Sequence, residues 1–356
     1  MISGNRRIPL WSGSQKQKDQ IFFKYVPAYH RAVRIGCICP PPPSPDVDVV
    51  GVGSGDNTLM YSRDGGMTWT GLGTSIFSTT GLCAAWNGSM WVAGGQGTNI
   101  LAYSYDGVNW TGIPDVSTGP SSTMTTVNSV SYRNGLWIGT NGSNDLVLSS
   151  DGINWTGYGN ITSSRYAYYL SSNGSQVNGI PSYTNEIIMA YTSDGISWTS
   201  VNDPNITAEG FQRYSDIVYD GSKYIIVIGE RDTPVNSKFY SYDGINWTGS
   251  PIVNYVDATN IGCIGSSLYI SRGSNPDATE KSTDGINWST VSDSIVTSFP
   301  VVQGIKGTIF GTNSNIFICG YNNNSYIYSP DGSNWYSKTT GLSGNFKAAF
   351  FKKIPL

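Results

Sequence analysis

Residues 241–249 read SYDGINWTG, and the first seven of them belong to a series. The pattern Ser/Thr-x-Asp-Gly-x-x-Trp recurs as SYDGVNW (104–110), SSDGINW (149–155), TSDGISW (192–198), SYDGINW (241–247), STDGINW (282–288) and SPDGSNW (329–335). SRDGGMTW (62–69) is a seventh copy with one extra residue. The motif tryptophans Trp69, Trp110, Trp155, Trp198, Trp247, Trp288 and Trp335 follow one another at 41, 45, 43, 49, 41 and 47 residues. Self-similarity at a fixed period means that each period is one structural unit burying its apolar face against its neighbours.

A period in the low to middle forties is what a four-stranded propeller blade needs. From 82 to 110, LCAAW is an apolar run, Asn87-Gly88 a hairpin turn, MWVAG a second run and ILAYS a third. Asp106-Gly107 then turns the chain into NWTG. Asn134-Gly135, Asn173-Gly174 and Asp220-Gly221 are the corresponding first turns of later periods, followed by WIGT, IIMAY and YIIVIG. The first motif lacks the usual first strand, whereas the last is followed by a spare one, NFKAAFF (345–351). The sequence therefore predicts an all-β protein: a seven-bladed β-propeller of four-stranded antiparallel blades, its ring closed by the C-terminal strand completing the first blade. Such mixing of the two termini removes an open sheet edge.

Each motif residue has a physical task. The carboxylates of Asp64, Asp106, Asp151, Asp194, Asp243, Asp284 and Asp331 accept backbone N–H bonds two residues on, and the following Gly takes a positive φ. The hydroxyl two residues before the Asp adds a local bond. The Trp folds over the turn and wedges against the neighbouring blade. Burying an indole removes roughly 150–250 Å² from water, worth about 4–6 kcal/mol before entropy is subtracted. Ten Asn-x-Ser/Thr sequons, including Asn109, Asn154, Asn246 and Asn287 inside the repeat, read as by-products of Asn-rich turns.

The motif resembles that of the Asp-box, or BNR-repeat, β-propellers, Ser/Thr-x-Asp-x-Gly-x-x-Trp/Phe, at the turn between the third and fourth strands of a blade. SRDGGMTW has that spacing in full; the other six copies are one residue shorter, which implies a tightened turn. The resemblance spans about residues 46–351 and speaks to fold more than to function, because this box occurs in sialidases, lectins, assembly factors and viral structural proteins. The DGINWTG form resembles repeats of large DNA virus and phage proteins.

Composition agrees with the fold. Charged residues make up 13 % of the chain, against 43 Gly, 23 Tyr and 11 Trp, the profile of a turn-rich β protein. A net charge of −3 argues against a nucleic-acid binder. No apolar run is long enough to span a membrane, and the amino terminus has no secretory signal core. The expected location is the virion if the protein is viral and the cytoplasm otherwise. Cys37, Cys39, Cys83, Cys263 and Cys319 read as free thiols.

Residues 1–45 form a different segment, a basic, aromatic and proline-rich arm ahead of a propeller at 46–356. The arm carries a net +6, which leaves −9 for the rest of a chain whose total is −3. Arg6, Arg7, Arg31 and Arg34 interleave with Phe22, Phe23, Tyr25 and Tyr29, before the stiff linker CICPPPPSP (37–45). Such a segment orders on a partner surface, so other proteins of a larger assembly are the expected partners.

Enzymatic readings fare worse. Arg7-Ile8-Pro9 resembles the Arg-Ile-Pro motif of sialidases, whose arginine grips the substrate carboxylate, but here it lies more than fifty residues before the first box. The four glutamates, Glu186, Glu209, Glu230 and Glu280, sit in no recognisable setting, and the one histidine, His30, is in the arm. GVGSG (51–55) falls between strands with no following helix, and the motif aspartates stand singly, so neither a phosphate loop nor a calcium loop is expected. The reading is a noncatalytic structural or interaction propeller, a virion or capsid-associated component, with no catalytic residue, cofactor or metal. A lectin-like propeller that binds glycans is the alternative, and a sialidase-like glycosidase the second. Function is expected where the repeat fails, in the arm and in irregular loops such as SQVNGIPSYTN (175–185).

Overall fold

The computed structural model describes residues 46–352 except 120–121, 142–144, 161–168, 181–188, 202, 205–212, 230–237, 251–257, 265–266, 273–279, 292–315, 320–323 and 330–333. The arm with Arg6, Arg7, Phe22, Phe23, Tyr25, Tyr29, Arg31 and Arg34, and also Asp331, lies outside the described residues.

The chain is all-β, built from antiparallel sheets. An eight-stranded sheet divides into two four-stranded halves that share the single residue pair Ser54–Thr80. The first half, sheet 1, contains Val49–Ser54, Leu59–Ser62 and Thr70–Gly71, completed by Asn345–Phe351. The second, sheet 2, contains Thr80–Trp86, Trp91–Gln96, Leu101–Ser104 and Thr111–Ile113. Sheet 3 runs through Ser129–Arg133, Leu136–Thr140, Asp145–Ser149 and Thr156–Asn160, and sheet 4 through Tyr169–Ser172, Val177–Ile180, Met189–Thr192 and Thr199–Val201. Sheet 5 comprises Arg213–Tyr219, Tyr224–Gly229, Lys238–Ser241 and Thr248–Gly249, and sheet 6 Ala258–Ile264, Ser267–Arg272, Glu280–Ser282 and Ser289–Thr290. Ile316–Cys319, Ser325–Ser329 and Tyr336–Thr339 form sheet 7. A two-stranded hairpin, Val116–Gly119 with Ser122–Met124, follows sheet 2, and no periodic signal marked it in the sequence.

The spare C-terminal strand pairs as its pattern requires. Val49 faces Phe351, Val50 faces Phe350 and Gly51 faces Ala349, in antiparallel register. The predicted first turns hold as well. Asn134 (φ 40°) and Gly135 (φ 83°) make a two-residue hairpin between Arg133 and Leu136, and the Asn173 side-chain oxygen accepts from the N–H groups of Ser175 (2.9 Å) and Gln176 (2.7 Å).

Two sequence expectations fail. GVGSG does not lie between strands: Gly51–Ser54 belong to the buried strand Val49–Ser54. Gly51 is required there by packing, because a Cβ would sit 2.6–2.9 Å from Met60, Trp69 and Phe346. Nor is 175–185 wholly an irregular loop, since Val177–Ile180 is the second strand of sheet 4 and fully buried. The polar Asn178 and Gly179 hid it from an apolar-run search.

The core lies between successive sheets. Val50, Val52 and Ala348 of sheet 1 meet Ala84, Trp91 and Ala93 of sheet 2. Ile180, Met189 and Val201 of sheet 4 meet Ile217, Ile226 and Phe239 of sheet 5. Among the described residues no helix is long and apolar enough to cross a membrane.

Candidate functional site

In SYDGVNW the Ser104 hydroxyl donates to Asp106 Oδ1 (3.0 Å) and accepts from the Gly107 N–H (2.8 Å). Asp106 Oδ1 also accepts from the N–H groups of Val108 (2.9 Å) and Asn109 (2.8 Å), while Oδ2 accepts from the Asn109 side-chain amide (2.7 Å). Asp151, Asp243 and Asp284 repeat this arrangement with Asn154, Asn246 and Asn287. Asp194 accepts from the N–H groups of Ile196 and Ser197 in the same way. The motif asparagines are therefore working parts of the turn. Their recurrence one residue before the Trp was the available signal.

In the longer first copy the bonds move on by one residue. Gly66, not Gly65, donates to the Ser62 hydroxyl (2.8 Å), and Thr68 supplies both the N–H (2.8 Å) and the side-chain hydroxyl (2.6 Å) that bind Asp64. Gly65 instead donates to Asp48 (2.8 Å).

These bonds stabilise the ionised carboxylates. Partial desolvation pushes Asp106 and Asp243 upward, and the turn's donors outweigh it, holding both at about 2. The Asn154 N–H does most to lower Asp151, and the Ile196 N–H does most to lower Asp194. Every described motif carboxylate is thus occupied by its own turn, with its pKa moved away from the range of a general acid or base.

The tryptophans close the motif. Trp110 and Trp155 donate their indole N–H to the carbonyls of Gly107 (3.0 Å) and Gly152 (3.1 Å), folding back over the turn. Trp110, Trp155, Trp198, Trp247 and Trp288 each pack into the cluster shared with the preceding sheet. Trp69 lies 4.9 Å from Phe346 of the C-terminal strand Asn345–Phe351, and Trp335 is buried. The motif glycine also abuts that preceding sheet: a Cβ on Gly152 would lie 2.3 Å from Met90 Cε, and one on Gly107 2.8 Å from Val47. In sheet 5 the approach is hydrogen-bonded, with Asn178 donating to the Gly244 carbonyl (2.7 Å) and Gln176 to that of Asp243 (3.0 Å).

Outside the motif, Glu280 of sheet 6 pairs with Lys238 of sheet 5 at 2.6 Å, both side chains buried. The remaining glutamates lie outside the described residues. Cys83 is buried, its thiol donating to the Val127 carbonyl at 3.8 Å. Among the described residues no group of three or more His, Cys, Asp or Glu is placed to hold a metal ion. A cavity of about 540 Å³ opens between the first strands of sheets 2 to 5, with Phe350 of the C-terminal strand on its wall. The aromatic side chains Trp86, Tyr132, Tyr169 and Tyr219 line it, together with Arg133.

No protein-family model and no curated protein matches the chain. Solved structures do. A functionally unknown protein from Desulfotomaculum acetoxidans superposes with a TM-score of 0.55 at 11 % identity, over 86 % of this chain and 98 % of that one. A quinonprotein alcohol dehydrogenase-like protein from Bacteroides thetaiotaomicron gives 0.52 at 10 % identity, over 86 % and 79 %. At such identities the likeness concerns fold alone. Together with the antiparallel sheets, it makes this chain a β-propeller-like all-β protein.

Proposed function

We propose that the protein is a noncatalytic structural or interaction module, a seven-bladed propeller of Asp-box type that joins a larger assembly through its basic, aromatic arm. One observation carries this reading: the described motif carboxylates are consumed by their own turns, and the motif tryptophans are packed as fasteners. What every repeat shares, every repeat needs in order to fold.

Closure of the ring is supported at the junction of the termini. Tyr326 of sheet 7 donates its hydroxyl to the Gly66 carbonyl (3.0 Å) in the motif turn of sheet 1, and its ring lies 6.0 Å from Phe346. The motif turn of sheet 1 thus docks on sheet 7 as that of sheet 5 docks on sheet 4. The assembly is a virion or capsid, a step that rests on the likeness of the DGINWTG repeat to viral and phage proteins. The test uses full-length protein with Arg6, Arg7, Arg31 and Arg34 changed to Glu. Loss of occupancy in the assembly with an unchanged melting temperature supports the reading, and full occupancy refutes it.

A second reading, glycan binding, has one favourable observation. Tyr105 and Tyr242 occupy the same motif position, are 63 % and 65 % exposed, and meet Tyr103 and Tyr240 edge-on at 6.1 and 6.0 Å. Exposed rings held in this way suit stacking on sugars. A glycan screen in which Tyr105→Ala and Tyr242→Ala each remove a share of binding would put this reading first.

A further inference from the structure

We propose that the cavity between the inner strands is a binding site for a small organic oxyanion, a carboxylate or phosphate ester carrying a flat ring. Its 540 Å³ falls within the range of small-molecule sites, which combine mostly apolar walls with a few convergent polar groups. Trp86, Tyr132, Tyr219 and Phe350 line it and are half-buried. Three of these rings are braced from the adjacent strand: Trp86 by Trp91 (5.2 Å), Tyr132 by Trp137 (4.8 Å) and Tyr219 by Tyr224 (5.0 Å). Braced rings offer fixed faces to a flat ligand without a large ordering cost.

The charge is supplied by Arg133, on the same wall and only 8 % exposed. Its Nη2 donates to the Ser175 carbonyl, and its buried Nε has no hydrogen-bond partner among the described residues. Arg133 has no ion pair among the described residues, whose salt bridges join Lys223 to Asp220 and Lys238 to Glu280. Asp216 also lines the cavity, but its carboxylate accepts from the N–H groups of Ile217 (2.9 Å) and Ile261 (3.3 Å). A buried guanidinium without a counter-charge is costly, and its planar fork matches carboxylate and phosphate oxygens. A cation with no ion pair among the described residues selects an oxyanion; the aromatic walls select a ring behind it.

The test titrates the full-length chain with benzoate and phenyl phosphate, using acetate and inorganic phosphate as ring-free controls, by calorimetry at fixed ionic strength. At least one ring-bearing anion binds saturably at one site, at least tenfold more tightly than its ring-free counterpart, and the anion that binds distinguishes carboxylate from phosphate. Arg133→Met weakens binding tenfold or more, the size expected for a hydrogen bond to a charged group. Trp86→Leu narrows the preference for the ring. In melting experiments the anion stabilises the wild type and leaves Arg133→Met unchanged, while that variant without ligand melts no lower than the wild type. Arg133→Lys, which keeps the charge and loses the fork, gives a second measurement and weakens binding several-fold. Absence of saturable binding to the wild type up to about 10 mM would overturn the proposal, as would equal affinity in the Arg133 variants or a marked loss of stability in unliganded Arg133→Met.

Discussion

Alanine substituted at two glycines separates the two demands that the repeat places on this residue. Gly135, in a first turn, has φ 83° and nothing within 4 Å of where a Cβ would sit; Gly152, in a motif turn, has φ 75°, and a Cβ there would meet Met90 Cε at 2.3 Å and Trp137 Nε1 at 2.9 Å. Both substitutions incur the left-handed backbone penalty, about 1–2 kcal/mol. Gly152→Ala adds overpacking, typically about 1–3 kcal/mol. The Met90 tip can swing aside, but Trp137 is fully buried in the cluster between sheets 2 and 3 and cannot. Gly152→Ala is therefore expected to cost about 1–3 kcal/mol more than Gly135→Ala. Urea unfolding measures the difference as a lower midpoint at unchanged slope. Equal costs would refute the claim that the motif glycine is held by close contact with Met90 of sheet 2 and the buried Trp137 of its own sheet.

Other expectations follow from the same geometry. The pKa values of Asp106 and Asp243 are depressed to about 2, so their contribution to stability is complete above the ordinary carboxylate range and is lost as pH falls from about 4 towards about 2. Asp106→Asn with Asp243→Asn should flatten the acid limb of a stability profile in that window. Glu280→Gln, which leaves Lys238 buried without its counter-charge, should cost about 3–5 kcal/mol, whereas replacing both residues by Met and Leu should recover most of it. Denaturation of the two variants beside the wild type checks this. Phe346→Ala removes a side chain 1 % exposed between Trp69 and Tyr326 and should cost about 3–5 kcal/mol, read as an earlier melt of the whole protein.

Much of this architecture was legible because it is local and repeated. Asp-Gly turns, Asn-Gly hairpins and the spare strand NFKAAFF have signals within a few residues, and the register of Asn345–Phe351 on Val49–Ser54 follows from the strand missing at the start. What escaped depends on contacts between sheets. Gly51 reads as a loop residue until Met60, Trp69 and Phe346 crowd it, and Val177–Ile180 reads as polar until Asn178 reaches the Gly244 carbonyl. The sequons read as incidental because the bond from Asn109 to Asp106 is invisible without the turn's geometry. Arg133 and Glu280 were visible only as isolated charges. Their burial, with an ion pair for Glu280 and none among the described residues for Arg133, is a property of neighbouring strands brought together from more than forty residues apart.

If the repeated motif is a fastener and not a site, its loss should be felt in stability alone. The direct measurement replaces Asp106, Asp151, Asp194, Asp243 and Asp284 by Ala one at a time in the full-length chain, and records both the melting temperature and incorporation into the proposed assembly. A fastener predicts a similar loss of stability at each position, with normal incorporation of every variant that remains folded. A variant that melts like the wild type yet fails to incorporate would contradict it.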